Sequence, residues 1–97
     1  MIVVNVSTTG ITVNGHAKYA EAGKDIICSA VSVLTQNLIR SVEALTDDSV
    51  DYEILPGHIK INYEDLSEKG QLLVDSFFIG ICQIQEAYGS QYVQIQC

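Results

Sequence analysis

From Ile26 to Leu45 the apolar residues Ile27, Val31, Leu34, Leu38, Val42 and Leu45 recur every three or four positions. That spacing puts them on one stripe of an α-helix and predicts a helix over 26–45. A second run, introduced by Ser67 and extending from Glu68 to Tyr88, aligns Leu73, Phe77, Ile81, Ile84 and Tyr88 in the same way. Two one-sided helices need an apolar surface to cover, and the remaining segments have the pattern to make one. Ile2, Val4 and Val6 alternate with Val3, Asn5 and Ser7, and Thr8-Thr9-Gly10 turns the chain into Ile11-Thr12-Val13. Val50, Tyr52 and Ile54 alternate with Asp51 and Glu53 up to a Leu55-Pro56-Gly57 turn, after which Ile59, Ile61 and Tyr63 alternate with His58, Lys60 and Asn62. After Gly89-Ser90, Tyr92, Val93 and Ile95 supply a last strand. A period of two means strands with one apolar face. The order ββαββαβ therefore predicts an α+β fold, a mainly antiparallel sheet with two helices on one face. With 97 residues, 47% of them hydrophobic and 18% charged, residues 1–97 are expected to form one domain with its own core.

Several surface features carry expectations of their own. The second hairpin should have one buried and one wet face, with His58 turned to solvent. Asp47, Asp48, Asp51 and Glu53 read as a solvated edge that discourages aggregation. Leu72, Phe78, Ile79 and Cys82 widen the apolar arc of the second helix beyond what one sheet face needs, which points to a subunit contact and a homodimer, and Gly80 marks a close approach. The net charge of −7, from 12 acidic and five basic residues, argues against a nucleic-acid partner and suits a basic polypeptide. No apolar run approaches the roughly 18 residues that would indicate a membrane span. An odd count of three cysteines, in a chain that opens directly on a strand, places the protein in the cytoplasm with reduced thiols. No glycine-rich phosphate loop is present, and His16, Cys28 and His58 do not make a zinc set, so no cofactor and no metal are expected.

The chemistry-bearing residues lie between the first hairpin and the first helix. His16 follows Gly15 at the end of a strand. Asp25 precedes the helical pattern and is a good N-cap, which makes Cys28 the third helical residue. A helix N-terminus favours a thiolate, and an imidazole nearby would make it a nucleophile. The ordinary reading of such a pair is a packed cysteine and a solvated histidine. Cys82 and Cys97 have no histidine at helix or strand spacing and read as structural. Ser32 lies one turn after Cys28, either hydrogen-bonding near it or packing beneath the sheet. Asp25 has two readings, a helix cap or a carboxylate that holds His16 as imidazolium, and its position favours the cap. On that reading Asp25→Asn keeps most of the activity, since Asn caps about as well as Asp.

The string Gly15-His16-Ala17, Tyr19-Ala20, Gly23, Asp25-Ile26, Cys28, Ala30-Val31-Ser32 closely resembles the ribosomal-processing cysteine protease family (Prp, or YsxB-like). The resemblance is strongest over Gly15 to Leu34, and Ser29 stands where the family is expected to have alanine. It implies a cysteine endopeptidase in which Cys28 is the nucleophile and His16 the base. The implied substrate is a large-subunit ribosomal protein bearing a short N-terminal extension. A homodimer is implied as well, together with a mobile loop over the site that matches Ala17 to Lys24 with Gly15 and Gly23 as its hinges. Backbone N–H groups at the helix start, that of Cys28 included, are candidates for the oxyanion site. The rival readings are a binding or assembly module with a buried Cys28, and a protease acting on a phage capsid or scaffold precursor.

Overall fold

The computed structural model describes residues 1–21 and 24–97. Its elements are β1 (Ile2–Val6), β2 (Gly10–Gly15), α1 (Ile26–Leu45), β3 (Asp51–Leu55), β4 (His58–Asn62), α2 (Glu68–Tyr88) and β5 (Val93–Gln96). The five strands form one sheet in the order β3-β4-β2-β1-β5. Hairpins make β1–β2 and β3–β4 antiparallel, and β2 meets β4 antiparallel as well. The long α2 crossover then brings β5 alongside β1 in parallel. This is the mainly antiparallel α+β fold with both helices on one face that the alternation of periods predicts.

The core lies between the sheet and the helix pair. Ile2, Val4, Ile11, Val13, Ile59 and Ile61 point inward from the sheet and meet Ile27, Val31 and Val42 of α1 and Val74, Phe77 and Ile81 of α2. Each such side chain contributes about 1.5–3 kcal/mol when fully buried. Thr35 is wholly buried in the α1 stripe, and its hydroxyl donates to the Val31 carbonyl at 2.7 Å, so no polar atom is stranded. The helices cross closely at Gly80, where a Cβ would stand 2.6 Å from Leu34 Cδ2. A glycine is what permits that approach.

Three expectations change at the periphery. The second hairpin does not have a buried face along both strands: β4 does, but β3 is exposed throughout. Tyr52 and Ile54 lie opposite Ile61 and Ile59 and share their side of the sheet, yet β3 is the outermost strand and both remain about half exposed. The acidic turn is not merely solvated, because Asp48 accepts the Ser67 hydroxyl at 2.7 Å and the Ser67 N–H at 3.1 Å. Ser67 in turn caps α2 by accepting the Gly70 N–H at 3.2 Å. On α2 the inner stripe is Val74, Phe77 and Ile81, while Leu73, Ile84, Phe78 and Cys82 are half-buried and Leu72 and Ile79 are exposed. Among the described residues no helix is long and apolar enough to cross a membrane.

Candidate active site

The start of α1 is organised by one carboxylate. Asp25 has an extended backbone (φ −81°, ψ 100°) and is the N-cap, with Oδ1 accepting the Ile27 and Cys28 N–H groups, both at 3.0 Å. Its second oxygen faces the loop that leaves β2. Oδ2 accepts the Tyr19 N–H at 2.9 Å and the Ala20 N–H at 3.5 Å. Burial pushes the Asp25 carboxyl up, but the N–H groups of Cys28, Tyr19 and Ala20 and the Cys28 thiol outweigh it and hold the group below the usual carboxylate range. One side chain therefore fixes the helix start and ties the loop to it.

Cys28 is the third residue of α1 and is half-buried, while His16 is exposed at the end of β2. Both open into a cleft of about 450 Å³ that is also lined by Val31 and Ser32 of α1 and by Ile54, Pro56, Gly57 and His58 of the β3–β4 hairpin. The Cys28 Sγ accepts the Ala17 N–H at 3.3 Å. Both this N–H and the helix N-terminus turn the positive end of a dipole toward the sulfur. The His16 ring rests on the β3–β4 turn, where a Cβ at Gly57 would stand 2.7 Å from Nε2. Among the described residues no hydrogen bond joins the ring to Cys28. The His16 carbonyl accepts from the amino group of Met1.

The other expected site residues are placed as follows. Ser32 lines the cleft rather than packing beneath the sheet, and its Oγ accepts from Gln36 Nε2 at 2.9 Å. Gly15 ends β2 with φ +97°, in the region that favours glycine, and its N–H donates to the Gly57 carbonyl at 2.9 Å. Gly23 lies outside the described residues. The Cys28 N–H is held by Asp25 Oδ1, so in this arrangement it is not free to serve an oxyanion. Cys82 is half-buried on α2 and Cys97 is exposed. Among the described residues no group of three or more His, Cys, Asp or Glu side chains is placed to hold a metal.

Sequence reasoning misplaced His58 and missed several neighbours. His58 is half-buried and lines the cleft instead of simply facing solvent, with Nδ1 paired to Asn14 Oδ1 and Nε2 3.5 Å from Glu53 Oε1. The β2–β4 pairing that sets Asn14 opposite His58 puts it there. Tyr19 packs edge-on against Tyr88 and Tyr92, with centroids at 5.8 and 5.3 Å, and so pins the loop to the end of α2. The Pro56-Gly57 dipeptide announced a turn, but nothing local announced that the turn would touch His16.

A thiol at a helix start and an imidazole lining the same cleft in a small α+β domain are the groups that a cysteine hydrolase uses. Comparison with known proteins specifies the class. The family model described as cysteine protease Prp matches residues 1–94, and the chain belongs to that family. It is a cysteine protease. The ribosomal processing cysteine protease Prp of Staphylococcus aureus is 26% identical over 97 residues, covering 91% of this chain and 92% of its own length. The crystal structure of an essential ribosomal processing protease Prp from S. aureus, in complex with a covalently linked product peptide, superposes with a TM-score of 0.92. It is 24% identical, and the match covers 99% of this chain and 98% of that one. SMU.848 from Streptococcus mutans is 30% identical with a TM-score of 0.76, over 98% of this chain and 88% of that one.

Proposed function

We propose that this cysteine protease removes a short N-terminal extension from a precursor of a large-subunit ribosomal protein, with Cys28 as nucleophile and His16 as general base. The observation that carries the reading is that these two side chains, and neither Cys82 nor Cys97, share a cleft, with the Ala17 N–H and the start of α1 both directed at Sγ. Cys28 Sγ attacks the scissile carbonyl carbon as its proton passes to His16, giving a tetrahedral oxyanion. That intermediate collapses with breakage of the C–N bond while His16 returns the proton to the leaving amine. Water then hydrolyses the thioester. The Cys28 N–H is committed to Asp25, whereas the Ala17 N–H donates to the reacting sulfur itself. Catalytic hydrogen bonds of this kind are often long in the free protein and tighten when substrate binds, and the Gly57 turn holds the His16 ring at the cleft where that contact is made.

Asp25 and Ser32 act as positioning groups in this scheme. Gly15, with its positive φ, is proposed as a hinge of a loop that opens for substrate. The ribosomal precursor is supported by the function for which the S. aureus relative is named and by the net charge of −7, which attracts a basic chain. No cofactor, nucleic acid or membrane takes part. Residues 1–97 serve as a single catalytic domain in the cytoplasm. A homodimer is supported by the exposure of Leu72 and Ile79, two turns apart on α2. Incubation with a ribosomal precursor bearing its extension, followed by intact-mass measurement, tests the reading. Parent enzyme releases the extension, Cys28→Ala does not, and His16→Ala is slower by about 10²–10⁴. Cleavage by Cys28→Ala at the parent rate refutes it.

A further inference from the structure

We infer that the Pro56–Gly57 turn is a positioning element for His16, with Gly57 as the seat of the imidazole; this rests on His16 being the base. The three heavy atoms nearest a Cβ placed at Gly57 are all from the His16 ring: Nε2 at 2.7 Å, Cε1 at 3.1 Å and Cδ2 at 3.4 Å. The imidazole therefore lies across the bare Cα and fills the space that a side chain at 57 would take. The turn is also locked to the strand that carries His16. The Gly15 N–H donates to the Gly57 carbonyl at 2.9 Å, and Asn14 stands opposite His58 in the β2–β4 ladder. Position 57 is thus held beside Gly15, the residue that delivers His16.

Two demands meet at Gly57 and separate cleanly. The first is the backbone: φ is +69°, a left-handed value that favours glycine and that asparagine tolerates better than alanine. The second is the empty space above Cα, which only glycine leaves. A Cβ there meets the end of a rotatable side chain rather than main chain, so the ring yields and the fold does not. His16 is exposed, and among the described residues its ring makes no hydrogen bond. Contact with the turn is what selects its rotamer. A base pushed aside by about 1 Å costs catalysis on the order of 10²-fold.

The test compares Gly57→Ala with Gly57→Asn, and both with His16→Ala. The readouts are thermal stability, the NMR resonances of the His16 ring, and the pH profile of Cys28 alkylation by iodoacetamide followed by peptide mapping. Both Gly57 variants are expected to shift the ring resonances. Both should also move the alkylation profile toward that of His16→Ala, with about tenfold slower reaction at neutral pH. The two should do so equally, although Asn is the more stable. If Asn recovers the parent profile together with stability, backbone strain explains the effect and the seat is overturned. Unchanged ring resonances in both variants overturn it as well, whatever the chemistry. A His16→Ala profile identical to that of the parent refutes the dyad instead, and the ring resonances still decide whether Gly57 seats the imidazole.

Discussion

Asp25→Asn is expected to destabilise this protein nearly as much as Asp25→Ala, against the usual equivalence of Asn and Asp as helix caps. Asn supplies one acceptor oxygen where Asp supplies two, and both oxygens of Asp25 are occupied. If the Asn oxygen serves Ile27 and Cys28, its amide group is turned toward the Tyr19 and Ala20 N–H groups, and donor faces donor. Losing the charge at the helix start costs about 0.3–1 kcal/mol. Leaving the part-buried Tyr19 N–H unpaired adds about 1–3 kcal/mol, so the total is about 1.3–4 kcal/mol. The pH dependence gives a second reading of the same bonds. The folded-state pKa of Asp25 lies below its ordinary 3.8, so its contribution is complete above the unfolded value and is lost as pH falls through the folded one. The gap between parent and Asn variant, measured by urea denaturation, should be full at pH 7 and shrink below about pH 4. A gap of less than about 1 kcal/mol at pH 7, the value for a cap alone, would refute the two-sided role. So would a gap that does not narrow in acid.

Four further outcomes are expected. Tyr19→Leu removes both edge-on aromatic contacts, each worth about 0.5–1.5 kcal/mol, and should speed amide exchange at Ala17, Tyr19 and Ala20 while leaving α1 protected. Ser67→Ala loses the α2 cap and the hydroxyl bond to Asp48, and thermal denaturation should show a loss of about 0.5–2 kcal/mol. Tyr63→Phe removes the 2.7 Å bond to the Ser7 carbonyl and should cost about 0.5–1.5 kcal/mol by the same measurement. In the precursor assay Cys82→Ala and Cys97→Ala should release the extension at the parent rate, since neither residue lines the cleft.

What the sequence disclosed follows from how local each feature is. The bounds of α1 and α2 were legible because Asp25 and Ser67 mark their starts and apolar spacing marks their length. The Asp25 cap and the position of Cys28 rest on three residues of sequence. The exposure of β3 was not legible, because it depends on strand order, and only the β2–β4 pairing makes β3 an edge. His58 and Gly57 escaped for a related reason. They reach the site through the partnership of Asn14 with His58 and of Gly15 with Gly57, contacts between hairpins separated by the whole of α1. The second duty of Asp25 was hidden too, since an N-cap signature says what one carboxylate oxygen does and nothing of the other.

The parallel pairing of β1 with β5 has a consequence for how the enzyme comes into being. β1 lies between β2 and β5, and Ile2, beside the cleft, donates its N–H to the Tyr92 carbonyl at 2.8 Å. β1 thus waits for a strand that is made only after the whole of α2. Until Val93 to Gln96 dock, one side of β1 is an open edge of Val and Ile residues, a template for pairing with other chains. Contacts so distant in sequence close slowly. The nascent protein is therefore prone to aggregate until β5 has been made, and the wall of the cleft that Ile2 forms becomes rigid only then.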